Sequence, residues 1–508
     1  MPALSRRSLF LLSAAAGIGV ARTARAAEAM TAAGHVAGAQ EGAVRVWRGV
    51  PFAQPPEGSL RFRPPLPPLP WEGVRPASTF ARAPIQAPAP FLAPGGTSED
   101  CLYLNVWAPA EGKGHPVFVW FYGGGNVAGA TSQPIYDGAS FARDGVVCVT
   151  AAYREGAFGF LELGAQLGHE YKGSANLGLR DQVMALRWVR DNIAAFGGDP
   201  ARVTIAGESA GAKDICGLLG VPEAAPLFHR AIIESRSGQT VFAPPAAAAI
   251  GEMFFHATGL PPAQVQELLR LTPAQVLAAQ DVVLKDSPVK FPFRPLIDGS
   301  FMPLRPVHAV AEGAGRGKTL LLGSNRDEST LFLTPDAAAG ALPQSALSNM
   351  NARRFAMLEE AYRKTLPDLS EADRHWRMLT AEEYWIPTLR VAEAQVSAGG
   401  EAFFYRFDRG PRTGKFAGKA YHSSELPFVW ANTSDPHWAG VGTDDPALVR
   451  MMHAAWVAFI RDGRPVAAGL PDWPAYTLDR RPTMLLDTTP KVATDPNGEE
   501  RRVWEGVL

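Results

Sequence analysis

The segment VTIAGESAG at residues 203–211 decides the fold that this sequence predicts. Its apolar, strand-like half leads into Ser209, which stands between Gly207 and Gly211, and a second apolar run follows at residues 215–219. A reactive serine on a sharp strand-to-helix turn requires this order, because side chains at the two glycine positions would collide with neighbouring elements. The start of the following helix also stabilises developing negative charge. A purely structural turn with the same spacing is the alternative.

A run of three glycines lies upstream and also follows a strand-like run. Residues 117–121 are apolar, and Tyr122 precedes Gly123, Gly124 and Gly125. Glycines at the end of a strand leave backbone N–H groups free to face a ligand, which also suits a phosphate-binding turn or a merely flexible one. Because a nucleophilic serine is predicted downstream, amide donors for an oxyanion are the more economical interpretation.

Further apolar runs predict an α/β fold with a mostly parallel central sheet flanked by helices. The strand candidates are Val117–Tyr122, Val146–Tyr153, Val203–Gly207, Ala231–Ser235, Thr319–Gly323 and Phe403–Phe407. Apolar residues recur at helical spacing between Leu179 and Phe196, which gives the strand, helix, strand crossover of a parallel sheet. Residues 51–96, rich in proline and glycine, are predicted to form loops and short strands, and residues 340–398 an inserted helical cap region.

The composition describes a globular protein. The chain has 508 residues, 46% of them hydrophobic, and a net charge of -1, which gives no sign of nucleic-acid binding. Its length is compatible with several domains, but α/β folds often carry long insertions, so we expect a single domain over residues 27–508. Cys101, Cys148 and Cys216 are too few and too widely spaced for a disulfide framework or a metal site, and the last two lie in apolar runs typical of core positions.

The first 26 residues predict an export signal. Arg6 and Arg7 precede an apolar run that reaches Val20, and Ala24-Arg25-Ala26 has the small residues of a cleavage site. The paired arginines resemble, in part, a bacterial twin-arginine signal, so we expect export to the periplasm of a mature protein that does not span a membrane. An uncleaved membrane anchor is the alternative, although the apolar run is short for a span.

Additional segments extend the pattern to most of the chain, which from about Gly49 onward resembles the type B carboxylesterases, the family of bacterial para-nitrobenzyl esterases and the cholinesterases. The matching segments are RGVPFA at 48–53, RF at 61–62, SEDCLYLN at 98–105, YR at 153–154, GAFG at 156–159, NI at 192–193, FGGDP at 196–200 and the serine turn. The resemblance implies an α/β-hydrolase fold and a serine carboxylesterase that acts on small-molecule esters without a cofactor.

The same resemblance implies the partners of Ser209. The family's acid falls on Glu328 in GSNRDE at 323–328, with Asp327 as the rival carboxylate that physical reasoning alone does not separate from it. The family's histidine falls on His422 in AYHSSELPF at 420–428, and the order serine, acid, histidine is that of the fold. We therefore predict Ser209 as nucleophile, His422 as general base and Glu328 as the orienting acid.

The resemblance also assigns roles to other residues around the predicted site. The oxyanion donors fall on the amides of Gly124, Gly125 and Ala210. Glu208, beside the nucleophile, matches a glutamate that tunes the site's electrostatics, and Ser235 matches a buried serine that supports the acid. Tyr122 and Phe291 complete the candidate substrate-binding residues, Phe291 because it falls near the family's acyl-pocket segment.

The chain also departs from its family. Cys101 matches a cysteine that is often disulfide-bonded, but Pro84 stands where its partner is expected, so we predict a free thiol. The segment from Ala87 to Asp100 lacks the choline-binding tryptophan of cholinesterases. Arg236 replaces a residue that is usually glycine; it either reaches a substrate carboxylate or, as the sequence favours, forms a surface ion pair.

Two other functions remain open at this stage. A non-catalytic binding protein could use the same scaffold, and an amide, carbamate or lactone hydrolase could use the same residues. The sequence does not identify the natural ester, the size of its acyl and alcohol parts, its stereochemistry or the oligomeric state.

Overall fold

The computed structural model describes residues 26–507 except residues 91, 93, 94 and 439. The predicted export signal therefore lies outside the described residues, apart from Ala26, which begins the first strand. The strands are β1 (Ala26–Met30), β2 (His35–Glu41), β3 (Val44–Pro51), β4 (Val74–Pro76), β5 (Tyr103–Pro109), β6 (His115–Phe121), β7 (Val147–Ala151), β8 (Gly198–Glu208), β9 (Arg230–Glu234), β10 (Thr319–Asn325), β11 (Glu401–Phe407), β12 (Pro482–Leu486) and β13 (Lys491–Thr494).

Fifteen α-helices lie between and after the strands of the described residues. They are α1 (Ala139–Arg143), α2 (Gly156–Phe160), α3 (Gly164–Leu167), α4 (Leu177–Asn192), α5 (Ala210–Leu219), α6 (Pro244–Ala257), α7 (Pro273–Asp286), α8 (Pro306–Ala311), α9 (Pro335–Ala339), α10 (Ala352–Thr365), α11 (Glu371–Thr380), α12 (Ile386–Ser397), α13 (Leu426–Val429), α14 (Pro446–Asp462) and α15 (Gly498–Val503). A π-helical turn at Ala381–Trp385 joins α11 to α12.

The strands of the described chain form one sheet in the order β1-β2-β3-β5-β7-β6-β8-β9-β10-β11-β12-β13, with β4 paired to β2. Pairing is parallel from β7 through β12 and antiparallel at both edges. This confirms the predicted α/β-hydrolase sheet. Its central strands are almost continuously apolar and buried, because helices cover both faces of a parallel sheet.

The topology brings the ends of several strands to the same edge of the sheet. The predicted crossover helix is α4, and β8 ends directly at the serine turn. β10 ends shortly before Glu328. In a parallel sheet, residues that follow neighbouring strands meet at the carboxyl edge, which is where ligand sites of such folds lie.

The predicted peripheral regions also occur. Residues 51–96 contain only short elements such as β4, and residues 340–398 fold mainly into α10, α11 and α12 between β10 and β11. Among the described residues, no helix combines the length and apolar character that a membrane span needs.

All three cysteines are buried and free, as predicted for Cys101. Cys148 lies in β7 and Cys216 in α5, which agrees with their predicted packing role. Burial raises the thiol pKa of Cys101, Cys148 and Cys216. A thiol held in its neutral form reacts poorly, so these side chains act as packing residues.

Candidate active site

The serine turn has the strained backbone that its sequence predicts. Ser209 has φ 56° and ψ -120° between β8 and α5, and its N–H donates to the carbonyl of Glu234 at 2.9 Å. A Cβ on Gly211 would lie 2.0 Å from the carbonyl oxygen of Phe121, and a Cβ on Gly207 would lie 2.6 Å from the backbone of Gly211. Side chains at these two positions would therefore force the turn open.

The predicted histidine and acid are in direct contact. His422 Nδ1 lies 2.6 Å from Glu328 Oε2, and both side chains are buried. The other oxygen, Oε1, accepts the backbone N–H of Asn325 at 2.7 Å. Asp327 instead accepts the backbone N–H of Ala420 at 2.9 Å. Of the two candidate carboxylates, the one that contacts the imidazole is therefore Glu328.

The second imidazole nitrogen faces Glu208. His422 Nε2 lies 3.2 Å from Glu208 Oε1, and in the described chain Ser209 Oγ forms no hydrogen bond to the ring. Burial lowers the pKa of His422, but the charges of Glu208 and Glu328 outweigh it and hold that pKa above its usual value. Burial raises the pKa of Glu208 in spite of the nearby imidazole. The imidazole thus lies between two carboxylates, one at each nitrogen.

The glycine run passes directly over the serine. A Cβ on Gly123 would lie 2.9 Å from the Cβ of Ser209. Gly124 and Gly125 have φ 123° and 69°, values that favour glycine, and a Cβ on Gly124 would lie 1.7 Å from the carbonyl oxygen of Ala128. The third predicted donor, Ala210, is the first residue of α5. The structure therefore places Gly123 against Ser209, with Gly124 and Gly125 next along the loop, and Ala210 directly after Ser209 in the chain; that the amides of Gly124, Gly125 and Ala210 bind an oxyanion stays a prediction.

A buried charge pair on α5 anchors the end of this glycine loop. Asn126, which follows Gly125, donates to Asp214 at 2.9 Å and accepts a hydrogen bond from Lys213. Burial lowers the pKa of Lys213 to about 7 and raises that of Asp214 to about 6. Neither residue is among the predicted site residues, although two charged residues in an otherwise apolar helix are a visible signal in the sequence.

Two predictions about neighbouring residues are wrong. Arg236 does not form a surface ion pair: its side chain is fully buried and forms an ion pair with Glu383 in the interior. Tyr122 does not present its ring to a substrate, because the ring is buried and stacks on Tyr153 at 4.8 Å. Tyr122 therefore has a packing role below the glycine loop.

Phe291 lies beside the glycine loop, and its predicted role in an acyl pocket stays a prediction. Its Cδ1 would lie 3.0 Å from a Cβ on Gly125, and its backbone φ of 56° is strained for a phenylalanine. Phe332 and Tyr384 are further rings at the site that the sequence did not indicate. Their centroids lie 5.2 and 4.9 Å from the imidazole of His422.

Further carboxyl groups lie below the site. Ser235 donates to Glu425 at 3.3 Å, so its contact is with this second buried glutamate and not with Glu328. Burial raises the pKa of Glu425 well above its usual value. Glu234 accepts the indole N–H of Trp456 at 2.7 Å, and burial raises its pKa to about 8. Glu425 lies in the matched segment at residues 420–428, whereas no local motif marks Glu234, and both become buried only when distant segments pack.

Comparison with known proteins identifies the family. The model of the carboxylesterase family matches residues 25–504. The para-nitrobenzyl esterase of Bacillus subtilis (strain 168) is 38% identical over 92% of this chain and 96% of its own length. The fumonisin B1 esterase of Sphingopyxis macrogoltabida is 34% identical over 86% of this chain and 82% of its own length.

Solved structures give the same result. A PNB esterase superposes with a TM-score of 0.83 at 36% identity and covers 94% of this chain and 99% of its own. The Geobacillus stearothermophilus carboxylesterase superposes with a TM-score of 0.82 at 37% identity over the same shares. Sequence and fold agree over nearly the whole chain, and the protein therefore belongs to the carboxylesterase family and hydrolyses carboxylic esters.

Proposed function

We propose that the protein cleaves its esters through an acyl-enzyme on Ser209, with His422 as general base and Glu328 as the acid that orients the imidazole. One observation above all supports this. The imidazole is held by Glu328 at 2.6 Å, close to a serine on a strained strand-to-helix turn under a glycine loop. Acyl transfer is the chemistry that uses a nucleophile, a base and backbone amide donors together.

Acylation begins when the imidazole takes the proton of Ser209 and the alkoxide attacks the ester carbonyl. The negative charge that develops on the carbonyl oxygen is stabilised by the amides of Gly124, Gly125 and Ala210. Nε2 of His422 must turn from Glu208 to the serine hydroxyl, as catalytic hydrogen bonds commonly form or tighten only when substrate is bound. The imidazolium then gives its proton to the leaving alcohol.

Deacylation repeats these steps with water as the nucleophile. The same imidazole activates the water, and collapse of the second tetrahedral intermediate releases the carboxylic acid and restores Ser209. Glu208 and Glu328 both favour the imidazolium that forms in each step. This shared electrostatic role accounts for the carboxylate at each nitrogen of the ring.

Hydrolysis of p-nitrophenyl butyrate by the purified mature protein tests the proposal, with Ser209→Ala as the variant. We expect the variant to retain its fold by circular dichroism and to lose nearly all activity, and mass spectrometry of the wild type to detect the acyl group on the peptide that contains Ser209. Residual activity near the wild-type level would exclude this serine. The matched p-nitroanilide measures amide cleavage, and a faster anilide reaction would assign the enzyme to amides.

We also propose that the protein is exported, on the basis of residues 1–26 alone. The paired arginines, the apolar run and the Ala24-Arg25-Ala26 site support a cleaved signal. Expression in a bacterial host followed by cell fractionation and N-terminal sequencing tests this. A mature terminus at Ala27 in the periplasmic fraction is expected, and an uncleaved protein in the cytoplasmic or membrane fraction would contradict it.

A further inference from the structure

We propose that Arg236 binds a carboxylate carried by the acyl half of the substrate, so that half-esters of dicarboxylic acids are preferred over neutral esters of the same size. The inference rests on the ester hydrolysis proposed above and specifies its substrate class. It depends on the position of the guanidinium, its unused donors and the charge balance around it.

The position of Arg236 connects it to the reacting atoms. It follows β9 by two residues, and the last residue of that strand accepts the N–H of Ser209. Its guanidinium carbon lies 4.4 Å from the ring centroid of Phe291, the ring that abuts Gly125. A short acyl chain attached to Ser209 therefore ends in the neighbourhood of this side chain.

The acyl half is favoured over the alcohol half by the position of the base. His422 must stay beside the leaving alcohol in order to protonate it. Arg236 packs against Phe291, the ring beside the glycine loop, with its guanidinium carbon 4.4 Å from the ring centroid. Its second aromatic neighbour, Tyr384 at 5.6 Å, packs against the imidazole as well, so the contact with Phe291 is the one that points to the acyl half. The two rings cover the guanidinium, and a substrate carboxylate reaches it by displacing the ring of Phe291, whose backbone φ is 56°.

Most hydrogen-bonding capacity of this arginine is unused. Its Nη2 bonds Glu383 and Ser348, whereas Nε and Nη1, which carry three of the five guanidinium N–H groups, are buried without a partner. The hydroxyl of Tyr384 is likewise buried without a partner. Leaving such donors unpaired in a protein interior is costly, and a carboxylate is the group that accepts several of them at once.

The side chains around Arg236 carry an excess of positive charge, which a bound anion would neutralise. One carboxylate, Glu383, serves two cations: its Oε1 pairs with Arg236, and its Oε2 lies 2.6 Å from Lys290 Nζ. These three side chains sum to one positive charge. Arg294 donates to the carbonyl of Ser348 and Glu382 accepts the N–H of the same residue, so these two side chains add one charge of each sign and leave the excess of one positive charge unchanged.

The element that supplies Glu383 and Tyr384 is itself unusual. Both belong to the π-helical turn Ala381–Trp385, and π-helical turns occur frequently at functional sites. The turn inserts an extra residue into the helix and so directs a carboxylate and an aromatic ring to the same place. A purely structural ion pair requires neither the second cation nor the unpaired donors.

Two esters with six-carbon acyl chains test the proposal: mono-p-nitrophenyl adipate, which ends in a carboxylate, and p-nitrophenyl hexanoate, which ends in a methyl group. The background rate of each is measured with Ser209→Ala. We expect wild type to favour the adipate in kcat/KM and Arg236→Met to lower that preference at least about tenfold, the loss typical of a hydrogen bond to a charged group. Hydrolysis of the hexanoate should change less than about threefold.

Three further variants keep the test decisive if Arg236→Met does not fold. The double variant Arg236→Met/Glu383→Gln removes both members of the pair, which avoids leaving one buried charge alone. Lys290→Met alters a partly exposed side chain and should lower the preference for adipate to a smaller extent. Arg236→Lys should retain part of the preference for adipate that Arg236→Met loses.

The outcomes separate this inference from the proposed function. A folded wild type that hydrolyses neither ester contradicts the ester mechanism itself. If the hexanoate is hydrolysed in a manner that requires Ser209, but the adipate preference is absent or survives in every arginine variant, only the carboxylate site is refuted. An equal loss on both esters indicates a structural role for Arg236 and likewise overturns the inference.

Discussion

Replacement of Glu208 by glutamine isolates the effect of one carboxylate on the catalytic imidazole. The substitution preserves the shape of the side chain and removes its charge from a position 3.2 Å from His422 Nε2. The imidazole works as a base only when it is neutral, so activity rises as pH increases through its pKa. Because Glu208 raises that pKa, its removal should move the acidic limb of the pH–rate profile to lower pH.

The distance sets the size of the shift. Two unit charges 3.2 Å apart interact by about 1.3 kcal/mol when fully screened by water and by about 5 kcal/mol at the effective dielectric constant of protein sites. The smaller figure corresponds to roughly one pKa unit, which is therefore the minimum displacement that we expect. The same lost interaction with the imidazolium in the transition state should lower the plateau of kcat/KM about tenfold or more.

The assay is the pH dependence of kcat/KM for p-nitrophenyl butyrate, read at the isosbestic wavelength of p-nitrophenol. Glu234→Gln is the matched control, because this buried carboxyl bonds Trp456 and not the imidazole. Its acidic limb should coincide with that of the wild type. A limb that stays in place in Glu208→Gln, or moves to higher pH, would refute the electrostatic reasoning.

Three other substitutions follow from the contacts of the site. Glu328→Gln should lower kcat on the order of 10³-fold or more, since the amide cannot hold the imidazole and stabilise its charge; a loss below tenfold in steady-state assays would argue against its role as the acid. Lys213→Met should cost about 3 kcal/mol in urea unfolding and reduce kcat, because Asn126 loses its donor beside the glycine loop; full stability with normal kcat would contradict this anchoring. In the wild type, Glu234 binds a proton on folding between its usual pKa and about 8, so the unfolding free energy should fall as pH rises across that window, by up to about 1.4 kcal/mol per unit. Urea titrations at several pH values should show a flatter dependence of the unfolding free energy on pH in Glu234→Gln than in the wild type. An identical dependence in both proteins would show that the Glu234 carboxyl is not its source.

The sequence predicted the parts of the site that local chemistry constrains. Ser209 and its flanking glycines form one continuous motif, because the turn geometry leaves few residue choices. Physical reasoning from the sequence did not separate Glu328 from Asp327, and the family resemblance favoured Glu328; in the fold, Glu328 contacts His422 whereas Asp327 bonds the backbone of Ala420. Which of two adjacent side chains in a turn faces a distant residue depends on the tertiary structure.

The features that the sequence missed arise from contacts between distant segments. Arg236 was expected at the surface, but the helical insertion between β10 and β11 brings Glu383 against it, across a separation of 147 residues. Tyr122 follows a strand toward the site, and yet packing against Tyr153 turns its ring into the core. Burial of a polar group depends on which elements cover it, and no local pattern in the sequence records that.

The three inaccessible thiols make the wild-type chain a convenient host for site-specific labelling. Because Cys101, Cys148 and Cys216 are all buried and are the only cysteines in the sequence, a cysteine introduced at the surface should be modified selectively by maleimides. Leu331 is 37% exposed and precedes Phe332, whose ring lies 5.2 Å from the imidazole of His422. A fluorophore at this position would report the arrival and departure of substrates in real time, without prior removal of any native cysteine.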